Sequence, residues 1–170
     1  MDAQLTSQAF NAREFRDALA CFASGVTVVT TQGVEHVYGM TASAFTSVSI
    51  DPPLVLVCVT SGTRGSESIE QNRVFAVNVL SVEQEPLSRY FASKDRPRGK
   101  EAFAQVPHRT EVTGSPILDG VGAFLDCRLA DSYLAGDHVI FIGEVLALGM
   151  NPDVLPLVFH RSQYRFLSGT

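Results

Sequence analysis

Residues 121–135, VGAFLDCRLADSYLA, and residues 138–149, HVIFIGEVLALG, are two long β-type segments separated only by Gly136 and Asp137. Two residues can join strands only as an antiparallel hairpin, because a parallel pair needs a crossover of a dozen or more residues. The same constraint holds upstream. Residues 25–31 (GVTVVTT), 36–45 (HVYGMTASAF), 54–60 (LVLVCVT) and 73–80 (RVFAVNVL) are rich in β-branched and aromatic residues and are divided by Gly, Pro or polar turns. Helical spacing occurs at 9–22, where Phe15, Ala18, Leu19 and Phe22 recur at three and four residues before Gly25, and again at 66–71 and 82–93. Too little helix lies between the strands for right-handed parallel crossovers, so the expectation is a mainly β fold, an antiparallel barrel with flanking helices. No G-x-G-x-x-G occurs, so any dinucleotide binds by a route other than a Rossmann turn.

With 170 residues, 45% of them hydrophobic, the chain can bury roughly 70% of its unfolded surface as one domain. The expectation is a single domain over 1–170, with a helix at 9–24 and the barrel over 25–166. No apolar run approaches the roughly 18 residues of a membrane span, and the first residues, MDAQLTSQAF, are polar, so the expected place is the cytoplasm, without membrane. Cys21, Cys58 and Cys127 are odd in number, scattered and set among apolar neighbours, which reads as three small core residues. Four scattered histidines suggest no metal. A net charge of −5 disfavours nucleic acid. The basic run Lys94, Arg96, Arg98 and Lys100 contains Asp95 and Pro97 and no aromatic residue; it reads first as a solvated loop, with a dinucleotide phosphate the better anionic alternative.

The stretch GMTASAFTSVS at 39–49 holds five hydroxyl side chains and no charge. Read as one strand, it puts Thr41, Ser43, Phe45, Ser47 and Ser49 on one face and Met40, Ala42, Ala44 and Val48 on the other. A solvent face ordinarily carries Lys, Glu or Arg. Short neutral side chains instead let a flat ligand approach backbone and hydroxyl donors closely. Thr63, Arg64, Gly65 and Ser66 open the second helix, where free amides and Arg64 could receive an anion or Ser66 could simply cap.

MTASAFTSVSIDPPLVLVCV, FAVNVL, AGDHVIFIGEV and FHRSQYRF occur in that order, and together they resemble the short-chain flavin reductases, the NAD(P)H:flavin oxidoreductase components of two-component flavin-dependent monooxygenases. The resemblance runs from about residue 15 to 166. It implies an FMN-binding type of split β-barrel, a homodimer, a flavoprotein that uses FMN or FAD with NADH or NADPH as hydride donor, and a separate oxygenase that receives the reduced flavin. By position, Met40, Thr41, Ala42 and Ser43 would line the flavin edge, Ser47, Val48 and Ser49 would lie beside the ring and ribityl chain, and Cys58, Val59 and Thr60 would back the ring. Arg64 and Ser66 would approach the phosphate. His138 matches the histidine associated with nicotinamide, and His160, Arg161, Ser162, Gln163 and Tyr164 match a segment closing over the same pocket. Where many relatives have an aromatic residue followed by Arg, this chain reads Phe159, His160, Arg161. Hydride transfer needs alignment of two rings and no protein nucleophile, and the sequence lacks the usual nucleophile and zinc patterns. The competing expectation is a split-barrel carrier or sensor that holds flavin or haem with little turnover. Preferences between FMN and FAD, and between NADH and NADPH, stay open at this level.

Overall fold

The computed structural model describes residues 9–34 and 36–167. Helix α1 (Ala12–Leu19) is followed by the short strand β1 (Ser24–Gly25), then β2 (Thr27–Gln32), β3 (Val37–Ala42), β4 (Phe45–Ser49) and β5 (Leu54–Thr60). Helix α2 (Arg64–Asn72) leads to β6 (Val74–Val79); a 3₁₀ turn (Val82–Gln84) leads into α3 (Glu85–Ala92), and a second (Gly99–Phe103) precedes β7 (His108–Thr110) and β8 (Pro116–Leu118). The long strands β9 (Ala123–Ala135) and β10 (His138–Met150) and the small hairpin of β11 (Val158–His160) and β12 (Gln163–Arg165) complete the chain.

Seven strands form one sheet in the order β3-β2-β6-β9-β10-β5-β4, and every pairing in it is antiparallel. The two outermost strands, β3 and β4, are consecutive in sequence, joined only by Ser43 and Ala44. The chain therefore links the two edges of the sheet directly, and the Cys58 N–H donates to the Ala44 carbonyl at 3.0 Å, extending the β4–β5 ladder into this link. This is a split barrel: the chain itself crosses the gap that a complete ladder would otherwise fill. The β9–β10 hairpin is its longest ladder, running from His138 opposite Ala135 to Met150 opposite Ala123, with two register shifts that bend it around the barrel. Gly136 in its two-residue turn has φ 62°, the left-handed conformation such a turn requires.

Alternation along β5 puts Val55, Val57 and Val59 inside the barrel, where they meet Phe75, Val77, Phe141 and Ile69 of α2. A second core lies outside the barrel wall, where Phe91 of α3, Phe103, Ile117 and Leu118 pack with Val28 and Ala76. Each fully buried Phe, Leu or Ile stabilises the fold by about 1.5–3 kcal/mol relative to exposure. Gly39 lets the second core approach β3, because a Cβ there would stand 2.7 Å from the Phe91 ring and 2.9 Å from Phe103. Buried Asn78 ties β8 to the barrel, accepting from the Leu118 N–H at 2.8 Å and donating to the Val28 carbonyl at 3.1 Å.

Several expectations are corrected. The stretch 39–49 is two strands, broken at Ser43 and Ala44, because closing the barrel requires a turn there; its hydroxyls do not share one continuous face. Helix α1 covers only Ala12–Leu19 within the expected 9–24, starting at an Asn11 cap whose box is completed by Glu14, and it buries none of its residues. Of the three cysteines read as core, Cys21 is exposed, Cys58 half-buried and only Cys127 buried. Burial pushes the Cys127 thiol up to about 12, helped by the Asp126 charge. Helix α2 starts two residues earlier than expected because Thr63, not Ser66, is its N-cap.

Candidate active site

A cavity of about 610 Å³ opens along the seam of the barrel. Its floor is β3 and the turn after it, including Met40, Thr41, Ala42, Ser43 and Ala44. Small side chains at Ala42, Ser43 and Ala44 keep this floor shallow. Gly65 helps too: a Cβ there would sit 2.6 Å from the Met40 sulfur, so glycine leaves room for Met40 to lie against α2. The Thr41 hydroxyl is already used, donating to the Ser88 carbonyl at 2.6 Å and tying the floor to α3.

One wall comes from the end of β5 and the start of α2: Cys58, Val59, Thr60, Thr63 and Arg64. His138, the first residue of β10, stands opposite Thr60 in the ladder and lines the same wall. Its Nδ1 lies 2.7 Å from Asp137 Oδ1, and its Nε2 lies 3.4 Å from Thr60 Oγ1. A carboxylate only accepts, so Nδ1 donates to Asp137, leaving Nε2 on the Thr60 side of the ring. The hydrogen bond from His138, then its charge, holds the Asp137 carboxyl below its ordinary 3.8. Burial raises the Cys58 thiol above its ordinary value, so it presents a neutral S–H to the cavity.

The opposite wall is Phe91 and Ala92 at the end of α3, then Lys94, Arg96, Pro97, Arg98 and Gly99, with Ala102 behind. Three cations of the basic run, Lys94, Arg96 and Arg98, thus lie on the cavity wall, while Lys94, Arg98 and Lys100 are also exposed, as a solvated loop requires. Arg64, Lys94, Arg96 and Arg98 line the cavity and no Asp or Glu does.

Of the residues singled out from sequence, the structure brings Met40, Thr41, Ala42, Ser43, Cys58, Val59, Thr60, Arg64 and His138 to this one cavity. It does not bring the others. Ser47, Val48 and Ser49 lie on β4, past the turn, outside the lining. Ser66 is 2% exposed, its hydroxyl donating to the Thr63 carbonyl at 2.8 Å inside the helix cap. Ser162, Gln163 and Tyr164 line a separate hollow beside Glu85 and Arg89, and His160 and Arg161 line neither. There Tyr164 OH meets Ser88 Oγ at 2.7 Å and the Arg89 guanidinium lies 4.7 Å from the Tyr164 ring centroid, so this hairpin clamps α3 from behind. Sequence reasoning missed Tyr38, Phe91 and Ala102 on the lining and gave the basic loop no place at the ring site. The available signal was Pro97 and Gly99 inside a charge run, which mark a fixed turn rather than a solvated stretch.

The arrangement suits a flat, uncharged ring system carrying phosphate: a shallow floor of small residues, a hydroxyl at Thr60, and cations that face no carboxylate among the described residues. No nucleophile activated by a base lines it, and no cluster able to hold a metal ion occurs among the described residues.

Comparison with known proteins agrees with that chemistry. Residues 19–168 match the family described as flavin reductase like domain. The FMN reductase (NADH) RutF of Bradyrhizobium diazoefficiens is 43% identical over 136 residues, covering 80% of this chain and 74% of that protein. A Rhizobium meliloti protein named probable flavin reductase is 45% identical over 144 residues, or 84% of this chain, and this chain spans only 45% of that longer protein. Among solved structures, BorF, the flavin reductase component of a bacterial two-component tryptophan halogenase, superposes with a TM-score of 0.88 at 37% identity, over 94% of this chain and 100% of that one.

Proposed function

This chain belongs to the flavin reductase like domain family, and from that premise we propose that it is an NADH:flavin oxidoreductase that passes reduced flavin to a separate oxygenase. The observation that carries the reading is the cavity of about 610 Å³, with a shallow neutral floor, His138 and Arg64 on one wall and Lys94, Arg96 and Arg98 on the other. Bound together there, NADH and FMN or FAD supply the hydride donor and acceptor. The chain's own task is alignment, since hydride transfer needs the reacting atoms held at roughly 3–3.5 Å with water kept out. Met40, Thr41, Ala42 and Ser43 are the proposed rest for the ring edge, with Cys58, Val59 and Thr60 behind it. Arg64, at the start of α2, offers a charge and a helix N-terminus to phosphate. His138, oriented by Asp137, offers a flat hydrogen-bonding surface to the nicotinamide and need not transfer a proton.

Relatives that carry reductase names favour turnover over a carrier that merely holds flavin or haem. We further propose a homodimer, supported by apolar side chains that α1 and the segment after it leave open: Phe15 is 50% exposed, Leu19 57% and Phe22 80%. The proposed setting is the cytoplasm, where three unpaired cysteines stay reduced; among the described residues no helix is long and apolar enough to cross a membrane.

The test is NADH oxidation by purified protein with added FMN or FAD. Acceleration above the protein-free rate is expected. No acceleration with either flavin and either nicotinamide dinucleotide rules the function out. Sedimentation at micromolar concentration reads the dimer, and a colourless protein active only with added flavin identifies flavin as a diffusible substrate.

A further inference from the structure

Strand β3, which carries the cavity floor, is an edge strand: within the seven-stranded sheet its one ladder partner is β2. The end of an edge strand is where a ladder opens most readily, because no neighbouring strand holds the backbone on its outer side. Here that end lies under the ring site. Hydride transfer tolerates little play, since displacing the reacting atoms by about 1 Å can cost about a hundredfold in rate.

Two threonine hydroxyls tie this end down from different elements. Thr41 Oγ1 donates to the Ser88 carbonyl of α3 at 2.6 Å, across 47 residues of sequence. Thr27, the first residue of β2 and the ladder partner of Ala42, is 2% exposed, and its Oγ1 donates to the Ala42 carbonyl at 2.7 Å. The two ties act on adjacent residues of β3, immediately before the turn at Ser43 and Ala44. That turn has its own restraints: the Ser43 carbonyl accepts from the Phe45 N–H and the Ala44 carbonyl from the Cys58 N–H, both at 3.0 Å. Farther up the strand, the Gly39 carbonyl accepts from the Arg96 guanidinium.

A hydroxyl has one hydrogen, and that of Thr41 goes to Ser88, so toward a ligand Thr41 Oγ1 can only accept. It is therefore no donor to the carbonyl oxygens of a flavin ring. Its acceptor in α3 is a backbone group, so the tie does not depend on the Ser88 hydroxyl, which meets Tyr164 OH. Thr27 is not on the cavity lining at all. Valine would suit a strand as well as threonine at either position. What threonine adds at both is the hydroxyl, spent on holding the floor.

We infer that Thr27 and Thr41 are positioning residues that fix the height of β3 under the flavin ring, and with it the distance from that ring to the nicotinamide. This rests on the proposed flavin and nicotinamide site and deepens it by naming the side chains that set its geometry.

The experiment measures the single-turnover rate of FMN reduction by NADH, the dissociation constant of FMN and the KM for NADH in wild type, Thr27→Val, Thr41→Val, Thr27→Ser and Thr41→Ser. Valine keeps the branched shape without the hydroxyl, and serine keeps the hydroxyl. Each valine variant is expected to reduce FMN about tenfold more slowly, with the FMN dissociation constant and the NADH KM within about threefold of wild type. Each serine variant is expected to recover most of the rate. An unchanged rate in a valine variant that still melts cooperatively overturns the assignment of that residue. A slowed rate that serine fails to recover, or one matched by an equal loss of FMN affinity, also overturns it. The two threonines lie on different strands and are replaced separately, so one pair of variants reports even if the other valine variant fails to fold. A wild-type protein that reduces no flavin would instead remove the proposed function itself, an outcome distinct from an active wild type whose valine variants match it.

Discussion

The floor of the cavity, residues 40–43, and the hairpin at 158–165 were both drawn to one pocket by sequence resemblance, and the fold separates them. The floor runs along β3 at the barrel seam, with a 610 Å³ space above it. The hairpin sits on the far side of α3, where Tyr164 grips Ser88 and Arg89. Yet the two are wired together: the Tyr164 hydroxyl meets the Ser88 hydroxyl, and the Ser88 carbonyl receives the Thr41 hydroxyl. One region lines empty space, while in the other the Tyr164 hydroxyl is engaged on the protein. A matched motif therefore identifies side chains of a type, and only the path of the chain decides whether they face a ligand or brace the element that does.

The contrast can be broken at either end. Ser43 is exposed on the cavity lining, so Ser43→Trp should fill the space and raise the flavin dissociation constant by about thirtyfold or more while the melting temperature stays near wild type; a wild-type constant would put the ring elsewhere. His138→Ala should raise the KM for NADH by about tenfold with a much smaller effect on flavin affinity, and equal losses in both would make His138 a folding residue. Thiol labelling sharpens the map further. At pH 8 exposed Cys21 should react fast, Cys58 slowly and Cys127, with its thiol pushed up to about 12, not at all without unfolding. Saturating FMN should then slow labelling of Cys58 several-fold and leave Cys21 unchanged, as read by mass spectrometry. At the hairpin, Tyr164→Phe should cost about 1 kcal/mol in denaturant unfolding through the lost Ser88 bond and change flavin and NADH constants by less than about threefold. The smallest effect is at its turn, where Arg161 and Ser162 hold φ of 49° and 60°: Ser162→Gly should stabilise the chain by about 0.5 kcal/mol by relieving the left-handed backbone.

Much of the fold was legible because local rules sufficed. The two-residue link at Gly136 and Asp137 dictates an antiparallel hairpin whatever surrounds it, and the β-branched run at 54–60 declares a strand, whose buried face of Val55, Val57 and Val59 shows only in the structure. The break at Ser43 and Ala44 was not legible, because nothing in MTASAFTSVS departs from strand composition; the turn is imposed by β3 and β4 becoming opposite edges of a closing sheet. Short strands such as β7, β8, β11 and β12, three residues each, carry too little pattern to announce themselves and form only as partners of one another, β7 with β8 and β11 with β12 and β1, outside the seven-stranded sheet. In the site, the neutral floor and His138 were readable as residue types in an ordered motif set. Ser66 was not readable as a committed cap, since Thr63 and Ser66 compete for that role until α2 is built. Arg96 was indistinguishable from its neighbours in the charge run. Only the carbonyls of Ser93 and Gly39, far apart in sequence, show that it is an anchor.

The most direct measurement is a crystal structure of the protein with FMN. The expected result is a ring resting on β3 between Ser43 and Cys58, with the hairpin at 158–165 still clamped to α3. A ring bound instead in the hollow beside Arg89 and Tyr164, with solvent filling the cavity over Met40 and Ala42, would contradict it.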